Sequence, residues 1–178
     1  GLRDALSLTQ GDQSVQYVAA DIVHRDASPF TDVVTINRGS DDGIQVGMVV
    51  VSTKGTLMGK VTKVTATSSF VRLITDTQST VSAEILGIGA DGSVKGTPNR
   101  GLAFELAQGD IQVGDQIVTA GLGGGYPRGL PIGRVATVTG TSQDLYKKVT
   151  VEPGVRIGTA ENVLVRTDFI PESLGLGD

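Results

Sequence analysis

A glycine-rich stretch, "TAGLGGGYPRGLPIGRV" (Thr119–Val135), poses the first chemical question, whether it cradles a phosphate. A P-loop needs its second glycine followed by Lys and then Ser or Thr, to reach the phosphates and magnesium. Gly124 and Gly129 have that spacing, but Leu130 and Pro131 follow. A dinucleotide fingerprint needs G-x-G-x-x-G at the start of a helix. Counting from Gly121, the third glycine position holds Tyr126; counting from Gly123, it holds Arg128. The stretch therefore reads as a loop whose glycines serve turns.

The other reactive side chains are few. His24 is the one histidine, followed by Arg25 and Asp26. A Ser-His-Asp hydrolase would have to use it as base. The chain has neither a G-x-S-x-G elbow nor a GDSGG-like context. Asp41-Asp42-Gly43 lacks the alternating ligands and terminal Glu of a calcium loop. It reads as a turn, as do Asp110 and Asp115 beside glycine. Cysteine is absent, which removes thiol nucleophiles and thiolate metal sites. These residues call for no catalytic group, metal or cofactor.

Composition restricts the elements that could position any site. The 178 residues are 39% hydrophobic and include 25 glycines, with Val and Thr plentiful. Strands and tight turns are favoured over helices. The formal net charge is −4, with 4% aromatic residues and no Trp. That balance argues against nucleic acid, which wants basic grooves or faces. The longest apolar run, Met48–Val51, is far short of the ~20 residues that span a bilayer. Gly1 in place of Met is expected for a fragment, and Leu2–Leu6 ("LRDAL") is the one plausible helical stub.

Internal repetition is the strongest organising signal. "VAADIV" (Val18–Val23) matches "VSAEIL" (Val81–Leu86). "IQVG" occurs at Ile44–Gly47 and at Ile111–Gly114. "GTLMGKVTKVT" (Gly55–Thr65) matches "GLPIGRVATVT" (Gly129–Thr139). The three matches keep their order, so the chain reads as a duplicated β unit, about residues 15–76 and 78–154. Between IQVG and the last block, copy two is longer, and the extra residues are the glycine-rich segment. Expected strands in copy one are Gln16–His24, Val33–Asn37, Met48–Ser52, Thr56–Thr65 and Phe70–Ile74. In copy two they are Thr80–Leu86, Leu102–Leu106, Gln116–Thr119, Leu130–Thr139 and Tyr146–Glu152. Gly92–Thr97 is a short extra strand and Ala160–Thr167 a last one. Many short, evenly spaced strands predict barrels or sandwiches. Gly59 and Gly133 fall mid-strand at matching positions, as bulges or barrel corners do.

Several blocks resemble the extracytoplasmic β region of the rod shape-determining MreC family. They are "IVHRDASPF" (Ile22–Phe30), "VVTINRGSDDGIQVGMVVVSTKGTLMGKV" (Val33–Val61), "VRLITD" (Val71–Asp76), "GDQIVTAGLGGGYPRGLPIGRV" (Gly114–Val135) and "VLVRTDF" (Val163–Phe169). The resemblance implies an all-β fold of two small tandem barrels, about six strands each, related to chymotrypsin-like barrels but without a triad. It implies a non-enzymatic scaffold of the cell-elongation machinery, with no catalytic residues and no cofactor. The implied partners are the elongation-specific transpeptidase (a penicillin-binding protein), MreD and, indirectly, MreB, together with self-association as a homodimer or filament. The location implied is the extracytoplasmic, periplasmic face of the membrane, reached through a single-pass helix outside this sequence. On this reading residues 1–14 end a coiled-coil helix and linker. Residues 15–77 form the first barrel, 78–169 the second, and 170–178 a flexible tail. The last strand pairs with one barrel or the other.

The loop extension is the first candidate contact surface. Leu122, Tyr126, Pro127 and Leu130 put apolar groups where turn chemistry predicts exposure, as partner anchors do. The alternative is that Tyr126 and Pro127 fold back and cap the second barrel. Two other functions stay open at this stage. A degenerate protease-like hydrolase requires His24 near a Ser and an Asp. A small-ligand module requires a pocket of convergent polar groups.

Overall fold

The computed structural model describes residues 16–87, 91–106, 111–121, 125–139 and 148–168. The Leu2–Leu6 stub, Leu122, Asp110 and the tail from Phe169 lie outside the described residues. The strands are β1 (Tyr17–Ala27), β2 (Asp32–Ile36), β3 (Val49–Val51), β4 (Leu57–Val64), β5 (Ser69–Leu73) and β6 (Thr80–Ile85). They continue as β7 (Asp91–Thr97), β8 (Gly101–Leu106), β9 (Gln116–Thr119), β10 (Pro131–Thr139), β11 (Lys148–Pro153) and β12 (Asn162–Arg166). Short 3-10 turns occur at Ser40–Asp42 and Ile157–Thr159.

Local pattern explains most strands. On β2, Val34 and Ile36 are buried and alternate with half-exposed Val33 and Thr35. On β11, Val149 and Val151 point inward between exposed Lys148, Thr150 and Glu152. That period of two is the signature of a sheet with one face in a core. Strand β3 is three consecutive buried valines, covered on both faces.

The strands close into two antiparallel barrels. The first runs β1-β12-β3-β4-β5-β2 and the second β10-β11-β8-β7-β6-β9. Closure removes the unpaired edges that invite aggregation. Ile36, Ile44, Met58, Val71, Leu73, Val163 and Val165 fill the first interior; Val81, Ile85, Phe104, Ile117, Ile132 and Val149 fill the second.

The duplication is visible in hydrogen bonds. In copy one Gly47 donates its N–H to the Val61 carbonyl, and Val61 donates to Met48, both at 2.8 Å. In copy two Gly114 donates to Val135, and Val135 donates to Asp115, again both at 2.8 Å. Gly47 and Gly114 have φ values of 95° and 94°, in the left-handed region open to glycine. Each copy's long strand also shifts register twice at matching points. One shift skips Met58 or Ile132, and the other falls between Val61 and Lys63 or between Val135 and Thr137. Such bulges bend a strand enough to close a small barrel.

Read around the rings, β12-β3-β4-β5-β2-β1 of barrel one corresponds to β6-β9-β10-β11-β8-β7 of barrel two. The likeness of Val18–Val23 to Val81–Leu86 is therefore not carried into the fold: β6 takes the place of β12, and β7 the place of β1. Barrel two draws all six strands from its own copy. Barrel one inserts β12, the last described strand, between β1 and β3. Residues 162–166 therefore belong to barrel one, although they follow the whole of copy two.

Candidate functional site

The glycine-rich extension leaves β9 at Thr119 and returns into β10. Thr119 is fully buried and organises both ends. Its hydroxyl donates to the Pro127 carbonyl at 2.6 Å and accepts the Leu130 N–H at 2.8 Å. Its backbone N–H donates to Leu130, and its carbonyl accepts from Gly129, both at 2.9 Å. Gly121 and Gly129, with φ of 76° and 88°, make the bends. These bonds fold the described part of the loop back onto the protein.

Tyr126 lands between the barrels. It packs, half-buried, against the hydrophobic core, as does Leu130. The Lys60 ammonium, from β4 of barrel one, stands 4.0 Å from the centre of the Tyr126 ring. That is within cation–π range. A Cβ at Gly125 would come within 3.0 Å of the Lys60 nitrogen, so glycine there leaves room for the approach. Burial pushes the Tyr126 phenol up to about 12, against a smaller opposing pull from Arg72. Burial also pulls Lys60 below its usual value. Of the four loop candidates, Tyr126, Pro127 and Leu130 are held in contacts within the chain, and Leu122 is outside the described residues.

The other sequence candidates do not converge. His24 is exposed on β1, opposite Thr35 of β2, and among the described residues no hydrogen bond joins it to a serine. Asp42 accepts the Gly39 N–H at 3.2 Å, and Gly43 turns at a φ of 86°. Asp115 accepts the Gln112 N–H at 2.9 Å. Both aspartates serve turns. Among the described residues, no group of three or more His, Asp or Glu side chains could hold a metal ion.

One polar cluster escaped sequence reasoning. Asp32 is 1% exposed, at the edge of a cavity of about 570 Å³ between the barrels. It accepts from the Thr75 hydroxyl and pairs with Arg25 at 3.4 Å, while its N–H donates to Asp76 at 2.9 Å. Arg25 also donates to the Ile157 carbonyl at 2.8 Å, tying the connection from β11 to β12 back onto barrel one. The cluster is saturated by its own members and serves cohesion. The cavity walls also carry Arg100, Glu152 and Arg156.

The surface shows a second repeat-related feature. Val23 on β1 and Leu86 after β6 are 60% and 56% exposed, at places that do not correspond in the two barrels. Val46 and Val113, the valines of the two IQVG turns, are 47% and 66% exposed. In each turn the isoleucine is buried and the valine stands in solvent. The duplicated fold thus displays the same valine twice, and Phe30 adds an exposed ring on barrel one.

Known proteins share this arrangement. The family model "Rod shape-determining protein MreC, barrel core" matches residues 22–167. The cell shape-determining protein MreC of Listeria monocytogenes is 31% identical over 171 residues, which are 92% of this chain and 58% of that relative. This chain therefore spans a little over half of that relative's length. The crystal structure of MreC from Pseudomonas aeruginosa matches with a TM-score of 0.77 at 29% identity, over 84% of this chain and 98% of that one. A chain from the complex between Penicillin-Binding Protein (PBP2) and MreC from Helicobacter pylori matches with a TM-score of 0.66. At 17% identity, over 86% of this chain and 98% of that one, it shares the fold.

Proposed function

This chain belongs to the MreC family of rod shape-determining proteins, and we propose on that footing that it is an extracytoplasmic scaffold for cell-wall elongation. In this reading it binds the elongation transpeptidase and other copies of itself, and it turns over no substrate. MreD and, indirectly, MreB are the further partners of this reading. The fold it shares with an MreC chain solved together with a penicillin-binding protein supports the transpeptidase as partner.

The observation that carries the proposal is the repeated apolar display. Val46 and Val113 are large hydrophobic side chains left in solvent at matching points of both copies, and Val23 and Leu86 are further exposed apolar side chains. The interior is already filled by Ile44, Ile111 and their neighbours, so the fold does not need these side chains exposed. Exposed apolar groups that the fold does not require mark contact surfaces.

The test is binding of this chain to the extracellular domain of the cognate transpeptidase. Val46→Ser with Val113→Ser, and separately Tyr126→Ala, are compared with the parent after their folding is verified. The proposal expects the double valine variant to weaken binding at least tenfold, about 1.4 kcal/mol. Weakening by Tyr126→Ala alone would move the contact to the glycine-rich loop. Absence of binding by the parent chain would overturn the transpeptidase as partner.

A further inference from the structure

We infer that the loop extension of copy two is a latch that fixes the orientation of the two barrels, with Tyr126 as its bolt and Lys60 as its catch. This goes beyond the scaffold reading and does not depend on it.

The duplication supplies an internal control. Lys60 of β4 matches Arg134 of β10. Arg134 stands opposite Glu152 of β11, a favourable cross-strand pair. Lys60 stands opposite Arg72 of β5, two like charges side by side. Such a pair is destabilising unless something offsets it. Arg72 faces Asp76 at 3.9 Å, and its Nε is buried without a hydrogen-bond partner. Among the described residues no carboxylate lies within 4.0 Å of the Lys60 nitrogen. The π face of Tyr126 is what meets it.

Copy one thus sets a cation where copy two sets the Glu152 carboxylate across the strand, and accepts an aromatic ring from the other barrel. The ring arrives through the segment that distinguishes the copies. Gly125 clears the approach, and Thr119 fixes the returning end. A loop that only closed its own barrel would need neither the ring over Lys60 nor a copy-one strand lacking a carboxylate at that site. The direct contact between β4 and β10 is slight, and the backbone bond from the Asn99 N–H to the Pro29 carbonyl, 2.7 Å, lies on other connections, so the ring over Lys60 adds a second restraint.

The experiment measures that angle. The chain lacks cysteine, so spin labels at Gln45→Cys in barrel one and Glu105→Cys in barrel two are unambiguous. Both sites are exposed. Pulsed electron resonance should give one narrow interlabel distance in the parent. Lys60→Met, which leaves both interiors intact, should broaden or shift it. Tyr126→Leu should do the same, and the double variant should add nothing. Lys60→Arg should keep the parent distribution, because a guanidinium also stacks on a ring. Circular dichroism confirms that each variant is folded. An unchanged distance in Lys60→Met overturns the latch, even if Tyr126→Leu moves it, because packing of the ring would then suffice.

Discussion

Gly59 on β4 and Gly133 on β10 press against their neighbouring strand at the same point of the two barrels. A Cβ on Gly59 would run into the Arg72 carbonyl and the Leu73 backbone; one on Gly133 would run into the Glu152 carbonyl and the Pro153 backbone. Neither glycine has a positive φ, so the constraint is the space between two backbones and not the conformation of the residue.

That contact predicts symmetric damage. Gly59→Ala should lower the stability of barrel one, and Gly133→Ala that of barrel two, each by roughly 1–3 kcal/mol or more. Chemical denaturation checks it, with hydrogen exchange to assign the loss to one barrel. A cost within about 0.5 kcal/mol, the range of an ordinary surface change, would show that the strands can move apart.

The burial of Tyr126 predicts an alkaline transition. In the unfolded chain the phenol ionises near 10.0, and in the folded protein burial raises this to about 12. Its contribution is complete below pH 10 and is lost as the pH rises towards 12, by about 2–3 kcal/mol in all. Lys60 acts with the opposite sign: its folded value is lowered, so stability rises with pH until the unfolded side chain titrates at 10.5. Tyr126→Phe should remove the loss between pH 10 and 12. Phenolate absorbance of the parent should carry a late-titrating component that Tyr126→Phe lacks, and identical curves for the two apart from amplitude would refute the burial.

The place of β12 predicts an unequal response to truncation. A chain ending after residue 158 loses Val163 and Val165 from the first core and leaves β1 and β3 as open edges. Barrel one should unfold or associate while barrel two keeps its dispersed amide resonances. A peptide of residues 160–167 added in trans should restore barrel one. Retention of barrel-one signals without the peptide would mean that barrel one does not need the strand that fills the place of β6 in barrel two.

Much of this was legible in the sequence because it is local. Alternation on β2 and β11, turn glycines such as Gly43 and Gly47, and the repeated IQVG all act over a few residues. The sequence therefore located the strands to within a few residues and supported two duplicated β-barrels. The repeat even pointed to Gly59 and Gly133, although not to the backbone that crowds them.

What the tertiary structure decided depends on groups far apart in the chain. The seat of β12 is set by pairing such as Tyr17 with Arg166, a choice between two similar barrels that no local preference settles. The Asp32 cluster draws on Arg25, Thr75 and Asp76, ordinary polar residues until closure brings them together and excludes water. Tyr126 reads in sequence as an exposed anchor or as a cap on its own barrel, and the fold places it under Lys60 of the other barrel. One sign of that contact was present beforehand: Lys60 lacks the carboxylate neighbour that its counterpart Arg134 has. It becomes visible only once strand register is known, because opposition across a sheet is a property of pairing and not of order along the chain.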